Sequence, residues 1–165
     1  MRVLFLDIDG VLNSYQSARY LHSVKHKTDD QIPEYFNDYL LKNALELCPT
    51  AISNLEYILE EIKDLKIVVS STWRMGCELK DLKALFPCSS LIKSRIIDST
   101  PMLKQSQRGD EIKRWIVARN VRIKDFIVLD DDCDMDAVED NFVHINHKNG
   151  LTYTDAELVI SMLKD

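Results

Sequence analysis

The apolar positions of this chain follow two rhythms. Short, nearly unbroken apolar runs at Val3–Leu6, Leu65–Val69, Phe126–Leu129 and Phe142–Ile145 have the pattern of strands buried on both faces. Between them the spacing is helical. Ile52, Leu55, Ile58, Leu59 and Ile62 predict an amphipathic helix over 51–64, with Thr50 as its N-cap. A second helix is expected over 77–86, stopped by Pro87. A third follows Arg108-Gly109, with Ile112, Trp115 and Ile116 on one face and Asp110-Glu111 at its positive N-terminal end. The last, capped by Thr152, buries Ala156, Leu158, Val159, Met162 and Leu163. Residues 91–97 read either as a short strand or as an irregular passage. Buried strands alternating with helices predict a three-layer α/β/α domain with a mostly parallel sheet.

One stretch breaks this regularity. From Asn13 to Leu47 the periodicity is lost, and Tyr15, Tyr20, Tyr35, Phe36 and Tyr39 are scattered among polar residues. Such a long connection reads as a lid or substrate-facing loop, with a helix pair padding the sheet as the alternative. His22 and His26 sit four apart but lack a third ligand nearby, so they read as solvated surface. The 165 residues suit one domain over 1–165, in which 13–49 is a short cap-like insertion.

Composition narrows the class. With 45% apolar and 29% charged residues the chain is an ordinary globular protein, and a net charge of -6 argues against a broad nucleic-acid footprint. No apolar run approaches membrane-spanning length and no signal segment precedes the first strand, so a cytoplasmic, non-membrane protein is expected. Cys48, Cys77, Cys88 and Cys133 lack paired spacing and read as reduced thiols.

The strand ends carry the candidate chemistry. In the stretch from Arg2 to Leu12, Asp7 and Asp9 lie two apart, so an extended backbone points them to one side where the strand runs out. Two carboxylates that close need either a hard cation such as Mg²⁺ or a split into one charged and one protonated acid. The second strand ends in Ser70, Ser71, Thr72, Trp73 and Arg74, and the third core run in Asp130, Asp131 and Asp132. In open α/β sheets these carboxyl ends are where ligands bind. Hydroxyls and a base, drawn from Arg74, Lys104 or Arg108, would hold an anion facing those acids. His144 and His147 flank a predicted strand end, and Asp134 and Asp136 lie beyond the acid run.

Taken together, DIDGVLN, VVSSTWR, RGDEI and VLDDD, in that order, resemble the haloacid-dehalogenase-like (HAD) hydrolase superfamily. In detail the chain looks like its small-capped domains, some of which occur in RNA-repair proteins. The resemblance implies a Rossmann-like HAD fold and a Mg²⁺-dependent phosphomonoester hydrolase working through an aspartyl phosphate. It makes Asp7 the nucleophile, Asp9 the general acid/base and, through its backbone carbonyl, a metal ligand. Ser70 becomes the phosphoryl-binding hydroxyl, and Asp130 and Asp131 the metal-binding acids. Arg108, with Lys104 as its rival, takes the family's basic role. Gly10, Ser71, Thr72, Trp73 and Arg74 fall on the substrate side. Implied substrates range from phosphorylated small molecules and nucleotides to nucleic-acid ends. A non-catalytic binding or regulatory module, a small-metabolite phosphatase and a phosphotransferase are the alternatives. Oligomeric state is unspecified.

Overall fold

The computed structural model of the protein describes residues 1–17, 47–122 and 125–164. Over these residues five strands form one sheet: β1 (Arg2–Leu6), β2 (Leu65–Val69), β3 (Ile96–Ser99), β4 (Phe126–Asp130) and β5 (Phe142–His144). Five helices accompany them: α1 (Pro49–Glu61), α2 (Leu79–Ala84), α3 (Ser90–Arg95), α4 (Arg108–Arg119) and α5 (Tyr153–Lys164). The strand order is β3-β2-β1-β4-β5 and every pairing is parallel. The chain builds outward from β1 to β3 and then crosses back to β4 on the other side. β1 and β4 therefore flank the switch point of the sheet, whose carboxyl end opens a crevice.

Alternation along the strands divides the core. Leu4, Leu6, Ile67, Val69, Ile127 and Leu129 face one side and pack with α1 and α5 through Leu55, Ile58, Ala156 and Val159. Val3, Phe5, Val68 and Val128 face the other and pack against Ile112 and Trp115 of α4. On that side Phe5 meets Trp115 and Phe126 edge-on, with centroids 5.3 and 5.9 Å apart. Residues in step with Phe5, Val68 and Val128 at the strand ends include Asp7, Ser70 and Asp130. The register that buries the core thus aims them at the α4 side.

The elements differ from the sequence expectation mainly at their ends. α1 begins at Pro49 behind an N-cap at Cys48, and Thr50 lies inside the first turn. Proline fits there because its missing N–H is one the helix leaves unbonded. α2 is shorter than 77–86. The undecided passage 91–97 is mostly helix: Ser89 Oγ accepts from Ile92 N at 3.2 Å, and β3 follows at Ile96. In the last helix Leu158 and Met162 are exposed, and Ile160 is buried in their place. Its start is as expected, with Thr152 Oγ1 accepting from Asp155 N and Asp155 Oδ2 accepting from Thr152 N.

Most of the expected cap lies outside the described residues, including Tyr20, His22, His26, Tyr35, Phe36 and Tyr39. At its two ends, Tyr15 N donates to His147 O at 3.1 Å and Cys48 N to Leu12 O at 2.7 Å, tying both to the sheet. Among the described residues no helix is long and apolar enough to cross a membrane.

Candidate active site

The strand ladder continues one residue beyond β1, with Asp7 N donating to Leu129 O at 3.0 Å and Ser70 N to Leu6 O at 2.9 Å. Asp7 is thereby held level with the ends of β2 and β4. It is 3% exposed and Asp130 is 0% exposed, so neither carboxylate has bulk water to solvate it. Asp7, Asp130 and Asp131 each offer a carboxylate oxygen within 4.8 Å of the others. Gly10 makes that approach possible. Its φ of +68° favours glycine, and a Cβ there would stand 2.3 Å from Asp131 Cγ.

Arg108, at the start of α4, lies across the acids. Its Nη1 donates to Asp7 Oδ1 at 2.8 Å and to the Ser70 carbonyl, and its Nε is 3.3 Å from Asp130 Oδ2. The helix end is fixed by the loop after β4, where Asp134 Oδ2 accepts from Arg108 N at 2.8 Å and Asp134 O from Gly109 N at 3.0 Å. A Cβ on Gly109 would press to 3.1 Å on Asp134 O and Met135 Cα, so this glycine permits the docking.

One guanidinium does not balance this cluster. Burial pushes the Asp7 carboxyl up to about 6, against the pull of Arg108 and of a hydrogen bond from the Ser71 hydroxyl. Burial, and then the charge of Asp7, push Asp130 up to about 7 despite Arg108. Asp131 is raised by burial and by neighbouring Asp132. Burial works against the charge of Arg108, but Asp7, Asp130, Asp134 and Asp132 outweigh it and hold its pKa above the usual value. The Arg108 contact to Asp130 Oδ2 falls outside hydrogen-bond geometry, leaving that buried oxygen without a donor. An under-neutralised set of hard oxygens with an unbonded buried carboxylate oxygen fits a divalent cation.

The other expected site residues divide. Asp9 is exposed and outside the three-acid group. Its Oδ2 accepts from Trp73 Nε1 and its Oδ1 from Asn13 Nδ2, each at 2.8 Å. Of the two serines, Ser71 favours the charged form of Asp7, whereas Ser70 Oγ is buried with no hydrogen-bond partner. Ser70 meets Arg108 through its carbonyl instead. Thr72 is exposed on a short 3₁₀ turn over Thr72–Arg74. Lys104 is exposed on the loop before α4, and Arg108 is the basic residue that reaches Asp7.

Arg74 does not line the entrance expected of it. It is 7% exposed and turned beneath the loop, where its Nη1 donates to the Ser70 and Ser71 carbonyls at 2.6 Å. Its Nε donates to Thr100 O at 3.1 Å and its Nη2 pairs with Glu111. Glu111, expected only to complement the helix dipole, is buried and also accepts from Leu103 N at 2.9 Å. An acid three residues after Arg108 shares its helix face, and that spacing is the signal by which it is found. His144 Nε2 donates to Asp131 O at 2.9 Å with Cys133 Sγ 3.6 Å away, so this histidine braces the acidic loop. His147 pulls the Asp131 carboxyl downward.

No curated protein matches the chain significantly. A family model described as the HAD domain in Swiss Army Knife RNA repair proteins matches residues 3–156, which run from within β1 to the start of the last described helix. The sheet order, the acids at its switch point and a match over nearly the full chain agree, and the protein belongs to this small-capped family of the HAD superfamily.

Proposed function

We propose that the protein is a Mg²⁺-dependent phosphomonoester hydrolase acting through an aspartyl-phosphate intermediate. The observation that carries this reading is Asp7 itself: a buried carboxylate at the end of the central strand, contacted by Arg108 at 2.8 Å and grouped with Asp130 and Asp131. Asp7, Asp130 and Asp131 would hold the cation through their side chains, and Asp9 through its backbone carbonyl. When bound, Mg²⁺ supplies the charge neutralisation a phosphate needs to enter an acidic site.

The chain's own groups divide the remaining work. The Asp7 carboxylate attacks phosphorus as the bond to the leaving oxygen breaks, and Asp9 delivers a proton to that oxygen. Asp9 then takes a proton from the water that hydrolyses the acyl phosphate, freeing Asp7 and inorganic phosphate. Arg108 and the Ser71 hydroxyl stabilise charge on the nucleophile and the phosphoryl oxygens. Gly10, with no side chain, leaves room beside the acids, and Thr72 and Trp73 border the approach. A pure binding module has no use for a second acid two residues after the first, which favours turnover.

The family's description supports nucleotide or nucleic-acid-end phosphates as the substrate class. The test is a Mg²⁺-supplemented screen of wild type against Asp7→Asn on nucleotides, sugar phosphates, phosphopeptides and 3′- or 5′-phosphorylated oligonucleotides. Phosphate release that depends on Asp7 and is silenced by EDTA is expected. Release that survives Asp7→Asn would defeat the nucleophile assignment, and phosphate appearing on an acceptor other than water would identify a transferase.

A further inference from the structure

Asp9 is exposed, yet both its oxygens are held. The indole Nε1–H of Trp73 donates to Oδ2 and the carboxamide Nδ2–H of Asn13 donates to Oδ1, each at 2.8 Å. The two donors come from different loops, one beyond β2 and one four residues after Asp9. Each is itself anchored. The Trp73 ring packs against the core on the α1 side, and the residue's backbone N–H donates to Ser71 Oγ at 3.4 Å. The carboxamide of Asn13 is oriented by Gly10 N, which donates to its Oδ1 at 3.1 Å. The turn beneath is closed by Val11, Leu12 and Asn13, whose N–H groups all reach Ile8 O.

An aspartate on a solvent-facing loop ordinarily samples several rotamers. With each oxygen tied to a separate anchored donor, rotation about either side-chain torsion breaks a charge-assisted hydrogen bond. We infer that Trp73 and Asn13 are positioning residues that clamp the Asp9 carboxylate in one orientation for proton transfer to the leaving oxygen. This role rests on the phosphatase reading above. It assigns Trp73 a function through its N–H, distinct from a ring that stacks on substrate or wedges the loop.

Three variants separate these roles. Trp73→Phe keeps the ring and loses the donor, Trp73→Ala loses both, and Asp7→Asn reports whether turnover runs through the proposed nucleophile. The reading is the first-turnover rate on p-nitrophenyl phosphate, whose leaving group departs without a proton, and on an alkyl phosphate, whose leaving group needs one. Displacing an acid by about 1 Å costs on the order of 10²-fold. Trp73→Phe should therefore lose about 10- to 100-fold on the alkyl phosphate and less than about 3-fold on p-nitrophenyl phosphate, matching Trp73→Ala. Equal losses on both substrates, or wild-type rates in Trp73→Phe, would overturn the clamp.

A second measurement needs no turnover. The chain has 2 tryptophans, so its ¹⁵N-labelled form gives two indole N–H signals, and Trp73→Phe identifies one of them. In Asp9→Ala the Trp73 signal should move upfield and exchange faster with solvent, while that of Trp115 stays in place. An unmoved signal overturns the hold on Asp9 itself. A wild type with no Asp7-dependent turnover but a responsive indole signal instead overturns the phosphatase reading, and the catalytic role of the clamp with it.

Discussion

Two buried arginine–carboxylate clusters share the first turn of α4 and differ in one respect, their charge balance. Arg74 meets Glu111 one to one, and its other donors go to the carbonyls of Ser70, Ser71 and Thr100. Burial lowers the Arg74 pKa, and Glu111 largely supports its charge. Three residues earlier on the same helix, Arg108 touches Asp7 and Asp130, with Asp131 in the same group. There Asp7 and Asp130 are both pushed upward and an Asp130 oxygen lacks a donor. A saturated cluster holds loops together, whereas an unsaturated one is primed for a charged ligand. The first fixes the loop after β2 to α4, and the second uses that fixed frame.

This contrast predicts opposite phenotypes. Asp7→Asn should lose about 10⁴-fold or more in turnover. Its melting temperature should change little or rise, because a buried like charge has been removed. Glu111→Ala should do the reverse to stability. Breaking a buried pair costs roughly 3–5 kcal/mol, which for a chain of this size lowers Tm by about 6–20 °C. Thermal melts and initial rates on both variants check the pair, and a stable Glu111→Ala chain would end the distinction.

The unsaturated cluster should also make metal binding pH-dependent. Asp7, raised to about 6, and Asp130, raised to about 7, hold protons to higher pH in the folded chain than in the unfolded one, where such groups titrate near 3.8. The folded state therefore binds more protons between about pH 4 and 7, and metal-free stability falls as pH rises through that window. A divalent ion held by these acids would replace those protons. The rise in Tm on adding Mg²⁺ should be small near pH 5 and complete above pH 7. At Mg²⁺ 100-fold above its Kd it amounts to about 2.7 kcal/mol, or roughly 5–11 °C. Asp130→Asn should remove most of this rise, and an equal Mg²⁺ effect at both pH values would contradict the proton exchange.

The smallest effect separates the two basic candidates. Lys104→Ala should change turnover by less than about 2-fold, as expected of an exposed residue away from the buried groups. Arg108→Lys keeps the charge but cannot reach Asp7, Asp130 and the Ser70 carbonyl together, so about 10-fold or more should be lost. Equal losses would show that the loop before α4 contributes a charge of its own.

Much of the frame was legible because burial leaves a periodic trace. The strand runs at Val3, Leu65, Phe126 and Phe142 and the helices α1, α4 and α5 followed from spacing, whereas α3 and β3 lie in a passage that spacing left undecided. The same alternation placed Asp7 and Asp130 at strand ends. What periodicity does not encode is which neighbouring loop a polar side chain will meet. Arg74 read as a substrate contact because it follows a hydroxyl run at a strand end, yet it folds back under that run to reach Glu111. Ser70 and Ser71 were indistinguishable by type, and only the packed loop set Ser71 to favour the charge of Asp7 and left the Ser70 hydroxyl without a partner. The hold of Trp73 and Asn13 on Asp9 joins residues 60 positions apart, beyond the reach of any local pattern.

By itself, then, the amino-acid order determined most of the buried strand and helix positions, the alternation of strand and helix, and the acids that end β1 and β4. The hydrophobic effect acts on every apolar residue alike and leaves that regular signature. Tertiary structure alone decided that one arginine would be saturated and another left facing excess acid. Hydrogen bonds and ion pairs are short-ranged and directional, so their partners exist only once the loops at the sheet's carboxyl end have met.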